Sequence, residues 1–259
     1  MSTLKLSIVQ AHLQWENPAA NRANFEDIIK KLAPETDLII LPEMFTTGFT
    51  MNAKPLAESM NGPTIAWMQS LAQELKVAIT GSLIVQEAGA FYNRLVFVHP
   101  QGTLECYDKR HCFTLAGEHE VFSQGKKHLI IDYKGFKLCP LICYDLRFPV
   151  WARNTQDYDV LIYVANWPKM RINAWDTLLK ARAIENMSYC IGVNRVGLDA
   201  NGYEYNGHSA CYDALGELQS IPEFEAEFIQ TITISKAHLE RSRSKLKFLD
   251  DKDDFTLLV

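Results

Sequence analysis

The sequence predicts an α/β fold in which two mixed sheets are each covered by helices on the outer face. Three observations carry that expectation. Short apolar runs at 37–41 and 158–165 read as strands buried on both faces. Segments with helical spacing alternate with such runs. Strand-like segments at 77–85, 91–99 and 103–107 follow one another across short turns carrying Gly89 and Gly102. Buried runs of the parallel type beside hairpins call for mixed sheets.

Each element has its own justification, taken in chain order. Residues 1–10 lack the basic start and long apolar run of a signal peptide. Leu4, Leu6 and Ile8 alternate there as in a first strand. Asn17-Pro18 opens a helix, with a capping side chain before proline at the first helical position. Phe25, Ile28, Ile29 and Leu32 form its apolar stripe, and Pro34 stops it. Pro42 bounds the strand at 37–41. A second helix from about Pro63 carries Met68, Leu71, Ala72 and Leu75 on one face. The three hairpin strands come next. A loop over 111–127 follows, and loops of that length in compact domains are often functional.

Strands at 130–133 and 136–143 flank the Lys134-Gly135 turn, the second closing at Cys143. Pro149 starts a short helix, and the buried strand at 158–165 succeeds it. Residues 175–188 read as a helix with Trp175, Leu178, Leu179 and Met187 inward. Arg182 and Glu185 share that face and can form a partly buried structural or subunit-interface ion pair. Strands at 190–196, 209–214 and 225–234 complete the pattern. No linker, repeat or low-complexity segment divides the 259 residues. Residues 1–259 are therefore expected to form one domain, with a mobile C-terminal tail from about residue 236.

Composition narrows the function. The net charge of −5 offers no basic excess to neutralise phosphates, so a nucleic-acid partner is not expected. The basic cluster at 241–247 is followed by acids at 250–254 and reads as a solvated mixed-charge segment. No apolar stretch approaches the roughly 18 residues of a membrane helix. A cytoplasmic protein with no membrane partner is expected. The six cysteines lack zinc-like spacing, so no metal site is expected.

Three segments place a reactive side chain just after an apolar strand: Leu41-Pro42-Glu43, Tyr107-Asp108-Lys109-Arg110-His111 and Cys143-Tyr144-Asp145-Leu146-Arg147-Phe148-Pro149. Open α/β sheets gather their sites at such positions. Taken singly, each residue is ordinary: a turn acid, a solvated lysine, a structural cysteine. Together, and in this order, they make the chain similar to the nitrilase superfamily of carbon–nitrogen hydrolases. Asn166-Trp167-Pro168, residues 181–186 and Gly207-His208-Ser209 extend the likeness over nearly the whole chain. The branch it most resembles is the ω-amidase type, near its bacterial members.

The resemblance implies a four-layer αββα sandwich, two mixed sheets packed face to face with helices outside. It implies hydrolysis of a small carboxamide by a Cys143 nucleophile, without a cofactor. Glu43 would be the base, and Lys109 would favour thiolate and bind the oxyanion with the Tyr144 N–H. A second loop acid is expected, Glu118 rather than Glu120, to orient the lysine and the amide nitrogen. The implied substrates are ω-amides of α-keto acids, such as 2-oxoglutaramate or 2-oxosuccinamate, with water as co-substrate. Tyr144, Phe45, Asn166 and Trp167 are the expected pocket residues. Arg147, Arg171 and Lys169 are candidates for the substrate carboxylate, although Arg147 reads more readily as structural support. His111 and His208 read as structural. An N-carbamoyl amino acid hydrolase or nitrilase would use the same trio, and a non-catalytic dimeric scaffold would need none of it. Family likeness also implies a homodimer or higher homo-oligomer.

Overall fold

The computed structural model describes residues 2–221 and 225–258. Its larger sheet has six strands: β1 (Thr3–Gln10), β2 (Leu38–Ile40), β3 (Ala78–Glu87), β4 (Ala90–Val98), β5 (Leu104–Asp108) and, at the far edge, β13 (Phe228–Ser235). Their order is β13-β1-β2-β3-β4-β5. The second sheet contains β6 (Ile131–Tyr133), β7 (Phe136–Ile142), β8 (Val160–Ala165), β9 (Tyr189–Asn194) and β12 (Ala210–Tyr212), in the order β12-β9-β8-β7-β6. A separate hairpin joins β10 (Val196–Leu198) to β11 (Glu204–Asn206).

Both large sheets are mixed, as expected. β1, β2 and β3 run parallel, with antiparallel neighbours on either side. β7, β8 and β9 repeat that arrangement. Alternation along the strands sorts the side chains into layers. Leu38 and Ile40 pack into the core shared with the second sheet, beside Leu138, Ile142 and Val164. Ile39 and Leu41 point the other way, against Phe25 and Ile29 of α1 (Pro18–Leu32) and Met68 and Ala72 of α3 (Pro63–Leu75). The capping signal at Asn17 is real: its Oδ1 accepts from Ala20 N at 3.1 Å. Between these helices lies one further turn, α2 (Ala53–Leu56), which has no signal of its own.

On the opposite face, α6 (Ile172–Glu185) lies on β9. A Cβ at Gly192 would stand 2.5 Å from Leu179 and 2.6 Å from Trp175, so the close approach of this helix needs glycine there. The expected Arg182–Glu185 pair forms at 2.9 Å. Two further helices are single turns: α4 (Glu118–Val121), within the long loop, and α5 (Pro149–Ala152).

Two expectations are corrected. The segment from residue 236 is not a tail: Lys236–Leu246 form α7. Leu239 is buried in the core, and Arg243 donates to the carbonyls of Met187 and Tyr158 and to Asp159. The helix reads as polar because it docks through few residues, so no wide apolar stripe marks it. The second correction is at Cys143. The strand ends at Ile142, and Cys143 opens a 3₁₀ turn over Cys143–Arg147.

Candidate active site

Four expected residues meet where the two sheets face each other. Glu43 follows β2, Lys109 follows β5, Cys143 follows β7, and Glu118 opens the one-turn helix α4 in the long loop. Lys109 Nζ donates to Glu43 Oε1 at 2.9 Å and to both oxygens of Glu118 at 2.9 Å. All three side chains are shielded from water. Asn93 Nδ2 adds a bond to Glu43 Oε1 at 2.8 Å, and the N–H of Asn166 donates to Glu43 Oε2 at 2.8 Å. Glu118 also accepts from Phe113 N at 2.5 Å. Buried charges persist only when paired and hydrogen-bonded, and this cluster meets that condition.

Cys143 sits at the edge of the cluster with its backbone at φ +43°, in the left-handed region. Such a conformation costs a β-carbon-bearing residue on the order of 1–3 kcal/mol. Hydrogen bonds across the turn hold it. Ile142 N donates to Asp145 Oδ2 at 3.1 Å, and Phe148 N to Asp145 O at 3.0 Å. Arg182 Nη2 donates to Leu146 O at 2.6 Å, so the helix arginine braces the turn that carries the cysteine.

Protonation follows from the surroundings. Burial disfavours charge on Lys109, but Glu118 and Glu43 more than offset it and hold the ammonium well above its usual pKa. Burial raises the Glu118 carboxyl, and nearby Glu43 adds to the rise against the pull of Lys109. Burial also pushes the Cys143 thiol well above its ordinary value, and Glu43 pushes it further. Lys109 pulls the other way and is outweighed. Lys109 thus favours the thiolate, as expected, while burial and Glu43 together favour the thiol.

Above the cluster opens a cavity of about 620 Å³. Cys143, Lys109, Tyr144, Asn166 and Trp167 line it. Asn166 is also structural, because its Nδ2 donates to Glu43 O at 2.6 Å. Arg147 and Arg171 lie on the cavity wall over the rings of Trp167 (4.9 Å) and Phe113 (5.1 Å). Among the described residues neither has a carboxylate partner. Cavities of this kind, with a few convergent polar groups, hold small molecules.

Phe45 is a correction. It is fully buried between Phe25 and Trp67, in the layer beneath α1 and α3, and does not line the cavity. Phe49 takes that place, its ring 5.1 Å from Lys109 Nζ. Glu120 is exposed and Lys169 pairs with Glu204 and Glu225, so neither reaches the cluster. His111 and His208 are engaged by Asp145 and Asp176. Asn93 went unnoticed because a polar residue within a strand carries no signal of its neighbours. Tyr205, on the cavity wall, belongs to the hairpin β10–β11, whose strands are too short to show a period. Among the described residues no cluster of His, Cys, Asp or Glu could hold a metal, and no helix is long and apolar enough to cross a membrane.

The carbon–nitrogen hydrolase family model matches residues 5–244. The chain is 44% identical to the omega-amidase YafV of Yersinia enterocolitica, with all of both chains covered. It is 33% identical to the 2-oxoglutaramate amidase of Bacillus subtilis, over 82% of this chain and 84% of that one. Among solved structures, XC1258 from Xanthomonas campestris, a CN-hydrolase superfamily protein with an arsenic adduct in its active site, superposes with a TM-score of 0.97. It is 43% identical, and the match covers 99% of this chain and 100% of that one.

Proposed function

Because the chain belongs to the carbon–nitrogen hydrolase family, we propose that it is an ω-amidase, hydrolysing the terminal amide of an α-keto acid ω-amide such as 2-oxoglutaramate or 2-oxosuccinamate. The single observation that carries this reading is the buried Glu43–Lys109–Glu118 cluster beside Cys143, at the base of a cavity walled by two guanidinium groups that have no carboxylate partner among the described residues. Named relatives that hydrolyse such amides support the substrate class.

Cys143 Sγ attacks the amide carbon as its proton passes to Glu43. Protonation weakens the hold of Glu43 on Lys109, and the lysine N–H so released can turn to the new oxyanion. The Tyr144 N–H, in the first turn of the 3₁₀ segment where such groups lack internal partners, is the second donor. Glu43 then protonates the leaving nitrogen and ammonia departs, leaving a thioester on Cys143. Water attacks the thioester with Glu43 again as base, and the proton returns to the sulfur as the acid leaves. Glu118 holds Lys109 throughout.

Arg147 and Arg171 supply cationic groups for the distal carboxylate, as paired carboxylate recognition by guanidinium requires. Six free thiols suit a reducing compartment, and we place the enzyme in the cytoplasm. A homodimer is the assembly expected, with the Arg182 helix at the contact.

Ammonia release from a panel of keto-acid ω-amides, glutamine, asparagine, carbamoyl amino acids and nitriles tests the reading. Turnover strongest on the keto-acid ω-amides is expected. Turnover confined to carbamoyl amino acids or nitriles would overturn the substrate, and no turnover at all would leave the scaffold.

A further inference from the structure

Asp145 lies outside the reacting cluster yet is fully buried and makes an unusual set of contacts. Its carboxylate accepts from Tyr107 OH at 2.7 Å, from His111 N at 3.0 Å and from Ile142 N at 3.1 Å, and His111 Nδ1 lies 2.8 Å away. Tyr107 and His111 stand two residues before and after Lys109. Ile142 immediately precedes Cys143. One carboxylate therefore grips the lysine segment on both sides and the cysteine turn from below. The lysine segment leaves the six-stranded sheet and the cysteine turn leaves the other, so this contact bridges the two sheets.

The grip is itself braced. Tyr107 OH accepts from Trp151 Nε1 at 3.0 Å and from Arg110 N at 3.2 Å. The His111 ring stacks on Phe148, with centroids 3.7 Å apart, within the same segment as the cysteine turn. A carboxylate with every oxygen occupied, out of reach of water, is a rigid part rather than a solvated one. Without it, the strained φ of Cys143 and the end of β5 would relax independently.

We propose that Asp145 is a positioning residue that sets the distance between Cys143 and Lys109, through Tyr107 and His111 on one side and Ile142 on the other. The proposal rests on the amidase reading above and adds a role to a residue that touches neither substrate nor the reacting atoms.

The test separates position from stability. In Asp145→Asn, kcat is expected to fall about 100-fold while KM changes less than about threefold, the signature of a misplacement near 1 Å. Tyr107→Phe removes the hydroxyl that bonds Asp145, Trp151 and Arg110, and His111→Phe removes the ring nitrogen beside Asp145 while keeping an aromatic ring against Phe148. Each is expected to lower kcat about 5- to 10-fold, and the double variant should approach Asp145→Asn, as a shared partner requires. Alkylation of Cys143 by iodoacetamide, followed by mass, should slow in the same rank order, because less of the Lys109 charge reaches the sulfur. That readout needs no substrate: if the wild type hydrolyses no amide, the functional reading fails while the positioning claim is still tested. If Asp145→Asn does not fold, the two ring variants decide. Wild-type kcat and alkylation rate in both, with only a lowered melting temperature, would overturn the proposal, as would a rise in KM at constant kcat.

Discussion

The base of the cavity and its wall follow opposite rules. At the base, Lys109 is held by Glu43 and Glu118, each carboxylate has at least two donors, and water is excluded. On the wall, Arg147 and Arg171 rest on aromatic faces and have no carboxylate among the described residues. The base is complete without substrate, so its geometry is ready before binding. On the reading proposed above, a substrate carboxylate would pair with the wall. That reading keeps catalytic power and substrate choice in separate places.

Substitutions at the base should break this contrast most severely. Cys143→Ala removes the nucleophile, and ammonia release is expected to fall by at least about 10⁴-fold with no loss of fold. Continued release by that variant would end the covalent mechanism. Lys109→Met leaves two buried carboxylates facing each other without their cation. Activity should drop about 100- to 1000-fold, and urea denaturation should show about 3–5 kcal/mol less stability.

On the wall the loss should appear in binding instead. Arg147→Leu is expected to raise KM for a carboxylate-bearing amide by about 10- to 100-fold, matching one charged hydrogen-bonded contact. A neutral amide of similar length should be nearly unaffected. An equal loss for both amides would mean that Arg147 supports the site rather than the substrate.

The smallest effect concerns protonation at rest. Burial and Glu43 raise the Cys143 pKa, so the thiol keeps its proton at pH values where an ordinary cysteine has lost it. Alkylation by iodoacetamide should thus go on rising with pH beyond about 9, past the point where a free thiol levels off. A plateau near neutrality would show a resting thiolate, with the pull of Lys109 outweighing burial and Glu43.

Much of this molecule was legible in order along the chain. The strands around Gly89 and Gly102, the Asn17 cap and the α1 stripe lay in local patterns, which sheet and helix periods expose directly. Glu43, Lys109 and Cys143 were legible only as a set, each at the end of an apolar strand. Phe45 and Phe49 could not be told apart, because both are aromatic residues in one loop and only packing decides which turns toward α1 and α3. Helix α7 escaped because it buries few side chains and is fastened by Arg243 to carbonyls that no periodicity announces.

By itself, the sequence determined the alternation of elements, the mixed sheets and the identity of the reactive groups, since these depend on residue type and near-neighbour spacing. Tertiary structure decided the rest: that burial and Glu43 raise the pKa of the thiol, that Asp145 spans two sheets, and that two arginines face one cavity. Those properties arise from burial and from contacts between residues distant in the chain, and desolvation and Coulomb interaction depend on distance in space rather than along the backbone.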